Sequence, residues 1–211
     1  MFITFEGIEG CGKSTQIALL EQALLSAGAS VARTREPGGC HVADQIRSVL
    51  LDAGNRDMVP LAELLLYAAA RAQHVEQVIR PALLAGKTVL CDRFSDATRA
   101  YQSFARGLDR DRVEELNSLA CQGVEPELTL LLDCPVETGL GRARQRIDSG
   151  TGPREERFEL ETLSFHQRVR DGYLELSREF PERFVVIDAS PAPELISQAI
   201  ADVVNSRIRS C

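Results

Sequence analysis

Positions 7–15 read Gly-Ile-Glu-Gly-Cys-Gly-Lys-Ser-Thr and fit G-x-x-x-x-G-K-[ST], with Gly7, Gly12, Lys13 and Ser14 at the fixed positions. Glycines at these places let the backbone turn sharply and bring its N–H groups against an anion. Lys13 adds a mobile positive charge for terminal phosphates, and Ser14 a hydroxyl for Mg²⁺. Ile8, Glu9, Gly10, Cys11 and Thr15 complete the loop. Cys11 has two readings: a thiol activated by Lys13 and a helix N-terminus, or a small residue tolerated where the backbone does the binding. A phosphate loop alone does not separate a kinase from a GTPase or a motor. The guanine-reading N-K-x-D of a GTPase is missing, and "LLLDCPVE" (130–137) stands where it would be.

Four further groups bear on chemistry. In "CDRF" (91–94), Asp92 could organise Mg²⁺ or its waters and Arg93 could hold a second phosphate; a surface ion pair is the plainer reading. "REPGG" (35–39) carries Pro37 in a turn after a strand. In "LLLYAAARAQ" (64–73), Tyr67 and Arg71 are four apart and share a helical face, suited either to stacking on and bonding a base or to packing together. Arg142, Arg144, Arg146, Arg154 and Arg157 surround "IDSGTGPREE" (147–156), a loop rich in Gly, Ser and Pro. They read as a solvated face or as a lid over about 142–157. Phosphoryl transfer asks a protein mainly for positioning and charge neutralisation, which lid arginines supply while excluding water.

The elements that must hold these residues alternate. Strands are expected at 2–6, 30–36, 87–92, 127–133 and 183–188. Helices are expected at 13–27, 42–52, 59–85 with a kink or break at Pro81, 109–121, 136–146, 158–179 and 192–207. Five strands with helical crossovers predict an α/β fold, a parallel sheet covered on both faces, in one domain spanning 1–211. Ligands of such sheets sit at the carboxyl ends of the strands. Gly7, Glu36, Asp92, Arg93 and Asp133 all fall there.

Composition narrows the partners. The chain has 211 residues, is 44% hydrophobic and carries a formal charge of −7. An acidic surface does not suit nucleic acid, so the local arginine cluster fits a small phosphorylated ligand better. The N-terminus "MFITFEG" lacks the basic and apolar regions of a leader, and no window reaches the length of a membrane span. The six cysteines include no C-x-x-C pair and no nearby histidine cluster, which argues against zinc and for a reduced, cytoplasmic protein.

Taken in order, "FITFEGIEGCGKST", "TREPGG", "LLLYAAARAQHVEQVIRPAL", "DRFSDATRAYQ", "RGLD", "LLLDCP" and "FHQRVRDGYLEL" closely resemble the thymidylate kinase family of P-loop nucleoside monophosphate kinases over nearly the whole chain. Gly10 is similar to the bacterial kind, in which arginines come from the lid and not from the loop. The resemblance implies ATP-dependent phosphorylation of dTMP to dTDP with Mg²⁺, in a homodimer. It implies that residues 7–14 wrap the ATP phosphates, joined by the lid residues Arg142 and Arg146, and that Glu9 lies by the sugar and phosphate of dTMP. It further implies that Arg93 binds the dTMP phosphate, Tyr67 stacks on thymine, Arg71 bonds its carbonyl edge and Thr98 contacts the base. The resemblance also implies that Tyr101 crowds the ribose 2′ position and that Pro37 and Arg47 lie near the acceptor. Two other readings stay open: a kinase for another nucleotide or nucleoside, and a nucleotide-gated regulatory module.

Overall fold

The computed structural model describes residues 1–148, 157–158 and 160–210, without the side chains of 146–148, 209 and 210. Its sheet has five strands, all parallel: β1 (Phe2–Glu6), β2 (Val31–Arg35), β3 (Thr88–Asp92), β4 (Leu128–Asp133) and β5 (Phe184–Asp188), in the order β2-β3-β1-β4-β5. The expected α/β architecture is therefore found, and each strand lies within one residue of its expected span. Central β1 is buried at all five positions, which explains a strand that is apolar rather than alternating. Edge strand β2, "VARTR", is half-buried to exposed throughout.

Helices α1 (Lys13–Ser26), α2 (His41–Leu51), α3 (Pro60–His74), α4 (Arg80–Leu84), α5 (Ser95–Thr98), α6 (Arg110–Cys121), α7 (Val136–Asp148), α8 (Leu163–Glu179) and α9 (Pro193–Ser210) accompany the sheet. The main core gathers Ile3, Phe5, Leu90, Leu128, Leu130, Leu131 and Leu132 from the sheet with Ile17, Tyr101, Val169, Tyr173 and Ile200 from the helices.

Three helical expectations are corrected. The helix expected over 59–85 with a kink or break at Pro81 leaves α geometry before that proline: a π-turn at Val75–Ile79 joins α3 to α4. Proline lacks an N–H and its ring crowds the carbonyl four residues back, so the ladder widens just before it. Residues 158 and 160–162 are not helical, and Thr162 caps α8 by accepting the Phe165 N–H at 3.2 Å. An unexpected helical segment follows β3: α5 runs into a π-helix at Arg99–Ala105.

Candidate active site

The pairing register sets the site. Phe5 lies opposite Asp92, so the loop leaving β1 and the residues ending β3 emerge side by side. Gly12 caps α1 with no side-chain acceptor and no acidic residue in the first turn, leaving the helix's first N–H groups turned to the loop. Lys13 lies under that loop, its Nζ donating to the carbonyls of Gly7 at 3.1 Å and Ile8 at 2.9 Å.

Gly10 takes φ +70°, and a Cβ there would stand 1.9 Å from the Gly139 carbonyl oxygen on α7. The contact is mutual, since a Cβ on Gly139 would stand 2.5 Å from the Glu9 oxygen. Gly10 thus has a steric reason beyond the absence of an arginine: it seats α7 on the loop. Cys11 is only 1% exposed and packs beneath, which favours its reading as a small tolerated residue.

Across the crevice, Glu9, Arg93 and Tyr101 meet. Glu9 Oε1 accepts from Arg93 Nη2 at 3.1 Å and from the Tyr101 hydroxyl at 2.5 Å. The Arg93 guanidinium lies 4.9 Å over the Tyr101 ring. Glu9 Oε2 is 3.1 Å from Nδ1 of buried His166 without the alignment of a hydrogen bond. Burial alone would raise the Glu9 carboxyl, but His166, Arg93 and Lys13 together hold it well below the usual carboxylate range.

Arg71 and Thr98 are also brought together, though not as a free helix face. Arg71 is 2% exposed and bonds Glu36 Oε2 (2.8 Å), Asn117 Oδ1 (2.7 Å), the Phe94 carbonyl (3.1 Å) and Thr98 Oγ1 (2.8 Å). Of its five N–H donors, one on Nη1 is left after these bonds. Glu36 is shared with His74, Nδ1 at 2.9 Å from Oε1. Tyr67, one turn before Arg71, is half-buried, its hydroxyl pushed up by burial and by Glu63. Arg47 donates to the Pro37 carbonyl at 2.7 Å.

Ser14 Oγ and Asp92 Oδ2 lie 3.2 Å apart. A hydroxyl beside a carboxylate is a hard-oxygen pair that fits Mg²⁺, an ion that keeps several waters and takes its remaining ligands from phosphates. That matches a site where, among the described residues, no cluster of three His, Cys, Asp or Glu side chains could hold a metal unaided.

Of the arginines expected in a lid, Arg142 donates to the Ala189 carbonyl at 3.1 Å. Arg146 lies on the last turn of α7 with its side chain outside the described residues, as is the whole of Arg154. Arg157 is buried, donating to the Leu50 carbonyl and to Glu63 Oε2, both at 2.5 Å.

Sequence reasoning missed Glu6, Glu63, His166 and Tyr173. Glu6 is buried at the end of β1. Burial and Asp96 push it up to about 8 against the pull of Arg93, Tyr173 and the Phe94 amide. A carboxylate closing an otherwise apolar strand was the available signal. His166 and Tyr173, seven apart in "FHQRVRDGY", share a face of α8.

A five-stranded parallel sheet flanked by helices, with a phosphate-loop sequence after its central strand, defines a P-loop nucleotide-binding protein. A family model for thymidylate kinase matches residues 5–200. The chain is 71% identical over 208 residues to a thymidylate kinase of Trichlorobacter lovleyi, covering 99% of this chain and 98% of that one. It is 59% identical to a thymidylate kinase of Geobacter sulfurreducens, covering 98% and 97%. The crystal structure of thymidylate kinase from Ehrlichia chaffeensis superposes with a TM-score of 0.79 at 32% identity, covering 97% and 98%. The chain belongs to the thymidylate kinase family.

Proposed function

We infer that this protein transfers the γ-phosphoryl group of ATP to dTMP, giving ADP and dTDP for dTTP synthesis. The observation that supports the reading is the closeness of two cationic groups: Lys13 under the phosphate loop, and Arg93 at the end of the neighbouring strand, 3.1 Å from Glu9 of that loop. One suits the donor and the other the acceptor phosphate, whose oxygen attacks in line; no protein nucleophile is needed. Lys13 and Arg93, with Arg142 and Arg146 from a lid at about 142–157 of this single domain, spread the charge that develops. Ser14 and Asp92 would hold Mg²⁺, which would supply charge neutralisation for the donor phosphates. Tyr67 stacks on thymine, the remaining Arg71 N–H reads its carbonyl edge, Thr98 completes that wall, and Tyr101 crowds the 2′ position. Pro37 and Arg47 border the acceptor.

A nucleoside kinase would need a base for a neutral hydroxyl. The depressed Glu9 carboxyl, already accepting from Arg93 and Tyr101, argues against that role. ADP formation from Mg·ATP with dTMP, dUMP, thymidine, CMP and GMP offered separately tests the reading. Turnover with dTMP and none with thymidine is expected; acceptor-independent or thymidine-dependent turnover would overturn it. Lys13→Ala should lose turnover far more than stability.

We place the protein in the cytoplasm as a homodimer. Exposed Leu61 and Leu65 on α3 and Leu119 on α6 support an apolar contact there. Sedimentation at micromolar concentration should return twice the 23.2 kDa chain mass.

A further inference from the structure

Arg93 is unusual in its backbone as well as its side chain. It adopts φ +69°, in the left-handed region that a residue with a Cβ occupies only where its surroundings hold it. Its own N–H donates to the Phe5 carbonyl at 3.0 Å. The next N–H, that of Phe94, donates to Glu6 Oε1 at 2.7 Å. At the other end of the residue, Arg93 Nη1 donates to the Tyr173 hydroxyl at 3.0 Å, and that hydroxyl donates to Glu6 Oε2 at 2.7 Å. The two oxygens of one carboxyl therefore grip the backbone beside Arg93 and, through Tyr173, its guanidinium. Glu6 is wholly buried and Tyr173 is 1% exposed, so water does not compete for these bonds.

We propose that Glu6 and Tyr173 are positioning residues that aim the Arg93 guanidinium at the acceptor phosphate. The proposal rests on the reading of Arg93 as the phosphate-binding residue. Glu9 already pairs the guanidinium at Nη2, and holding Nη1 through a hydroxyl rather than a second carboxylate has a physical merit. A phenol orients that nitrogen without adding a second counter-charge. The groups facing Glu6 are Arg93 at the end of β3, Asp96 on α5, Tyr173 on α8 and the Phe94 amide. The arrangement also ties the phosphate site to α8.

The test is steady-state kinetics on the full chain with Tyr173→Phe, Glu6→Gln, the double variant and Arg93→Lys. Tyr173→Phe removes one hydrogen bond to the arginine. It should raise KM for dTMP about ten-fold, equivalent to about 1.4 kcal/mol, while KM for ATP stays within two-fold. Thymidine lacks the phosphate, so as a competitive inhibitor it should bind native protein and Tyr173→Phe alike. Glu6→Gln acts through the same hydroxyl, so the double variant should match Tyr173→Phe rather than show the product of the two effects. Lower kcat or lower stability with both KM values unchanged would overturn the proposal, as would multiplicative effects in the double variant. Should Tyr173→Phe fold poorly, the near-isosteric Glu6→Gln decides by the same KM split. Arg93→Lys separates the two levels. A native KM for dTMP in that variant overturns the reading of Arg93 itself, whereas a raised KM there with a native one in Tyr173→Phe overturns only the positioning role.

Discussion

Replacing Gly10 by alanine should destabilise the protein more than replacing Gly12 by alanine, although both lie in the phosphate loop. Both glycines have positive φ, +70° and +97°, so both substitutions incur the left-handed cost of about 1–2 kcal/mol. At Gly12 the new methyl enters open space. At Gly10 it meets the Gly139 oxygen at 1.9 Å, its carbon at 2.8 Å and the Ala143 nitrogen at 3.1 Å. All three are backbone atoms, so no rotamer change relieves them and α7 must shift, at the overpacking cost of about 1–3 kcal/mol. The expected losses are about 2–5 kcal/mol for Gly10→Ala and about 1–2 kcal/mol for Gly12→Ala. Urea unfolding followed by circular dichroism, without nucleotide, measures both. The comparison is strict, because Gly12 lies further from the left-handed minimum and its strain works against the expected order. Equal losses, or the reverse order, would show that α7 does not bear on the loop as the structure has it.

Three further predictions concern single side chains. Arg157→Ala leaves Glu63 with Gln102 and Arg106, the latter at 3.3 Å. It should therefore cost about 2 kcal/mol of unfolding free energy, less than the roughly 3–5 kcal/mol of a stranded buried charge; Glu63→Gln in the same chain should recover part of that loss. Cys11, at 1% exposure, should resist maleimide in the native protein while Cys40, half-buried and the most accessible cysteine among the described residues, labels before it with activity retained; rapid inactivation prevented by ATP would contradict the packing described for Cys11. Asp92→Asn should raise the Mg²⁺ concentration for half-maximal turnover about 10–100-fold, and an unchanged metal requirement would remove Asp92 from the metal's surroundings.

What could be read in the sequence was whatever depends on neighbours in the chain. The phosphate loop is a contiguous pattern, and strands β1 and β4 announce themselves by apolar runs that their central places in the sheet explain. The segment after β3 was hidden because it obeys no simple period. Ser95, Asp96, Thr98, Ala100, Tyr101, Gln102 and Ala105 are all buried, polar and apolar together, on a backbone that passes from α to π geometry. Its polar members are satisfied from far away: Asp96 by Arg183, Gln102 by Glu63 and Tyr101 by Glu9. The position of Arg157 was hidden for the same reason, since its carboxylate partner lies 94 residues earlier in the chain. The Arg71 pair was visible as a helical face, but its four protein acceptors come from β2's end, the β3 exit, α5 and α6.

The strand order divides the molecule more cleanly than the chain order does. β2 and β3 lie on one side of β1, and β4 and β5 lie on the other, followed in the chain by α7 and α9. The groups proposed for the acceptor thus belong to one continuous stretch, residues 31–105, and those proposed for the donor, Asp92 apart, to the pieces on either side of it. Heredity can work on such a layout piecewise. Changes confined to the middle stretch can retune which monophosphate is accepted while the loop and α7 keep their grip on the triphosphate. Glu9, Glu6 and Tyr173 are the exceptions: they reach across the seam to Arg93, and substitutions there must suit both halves at once.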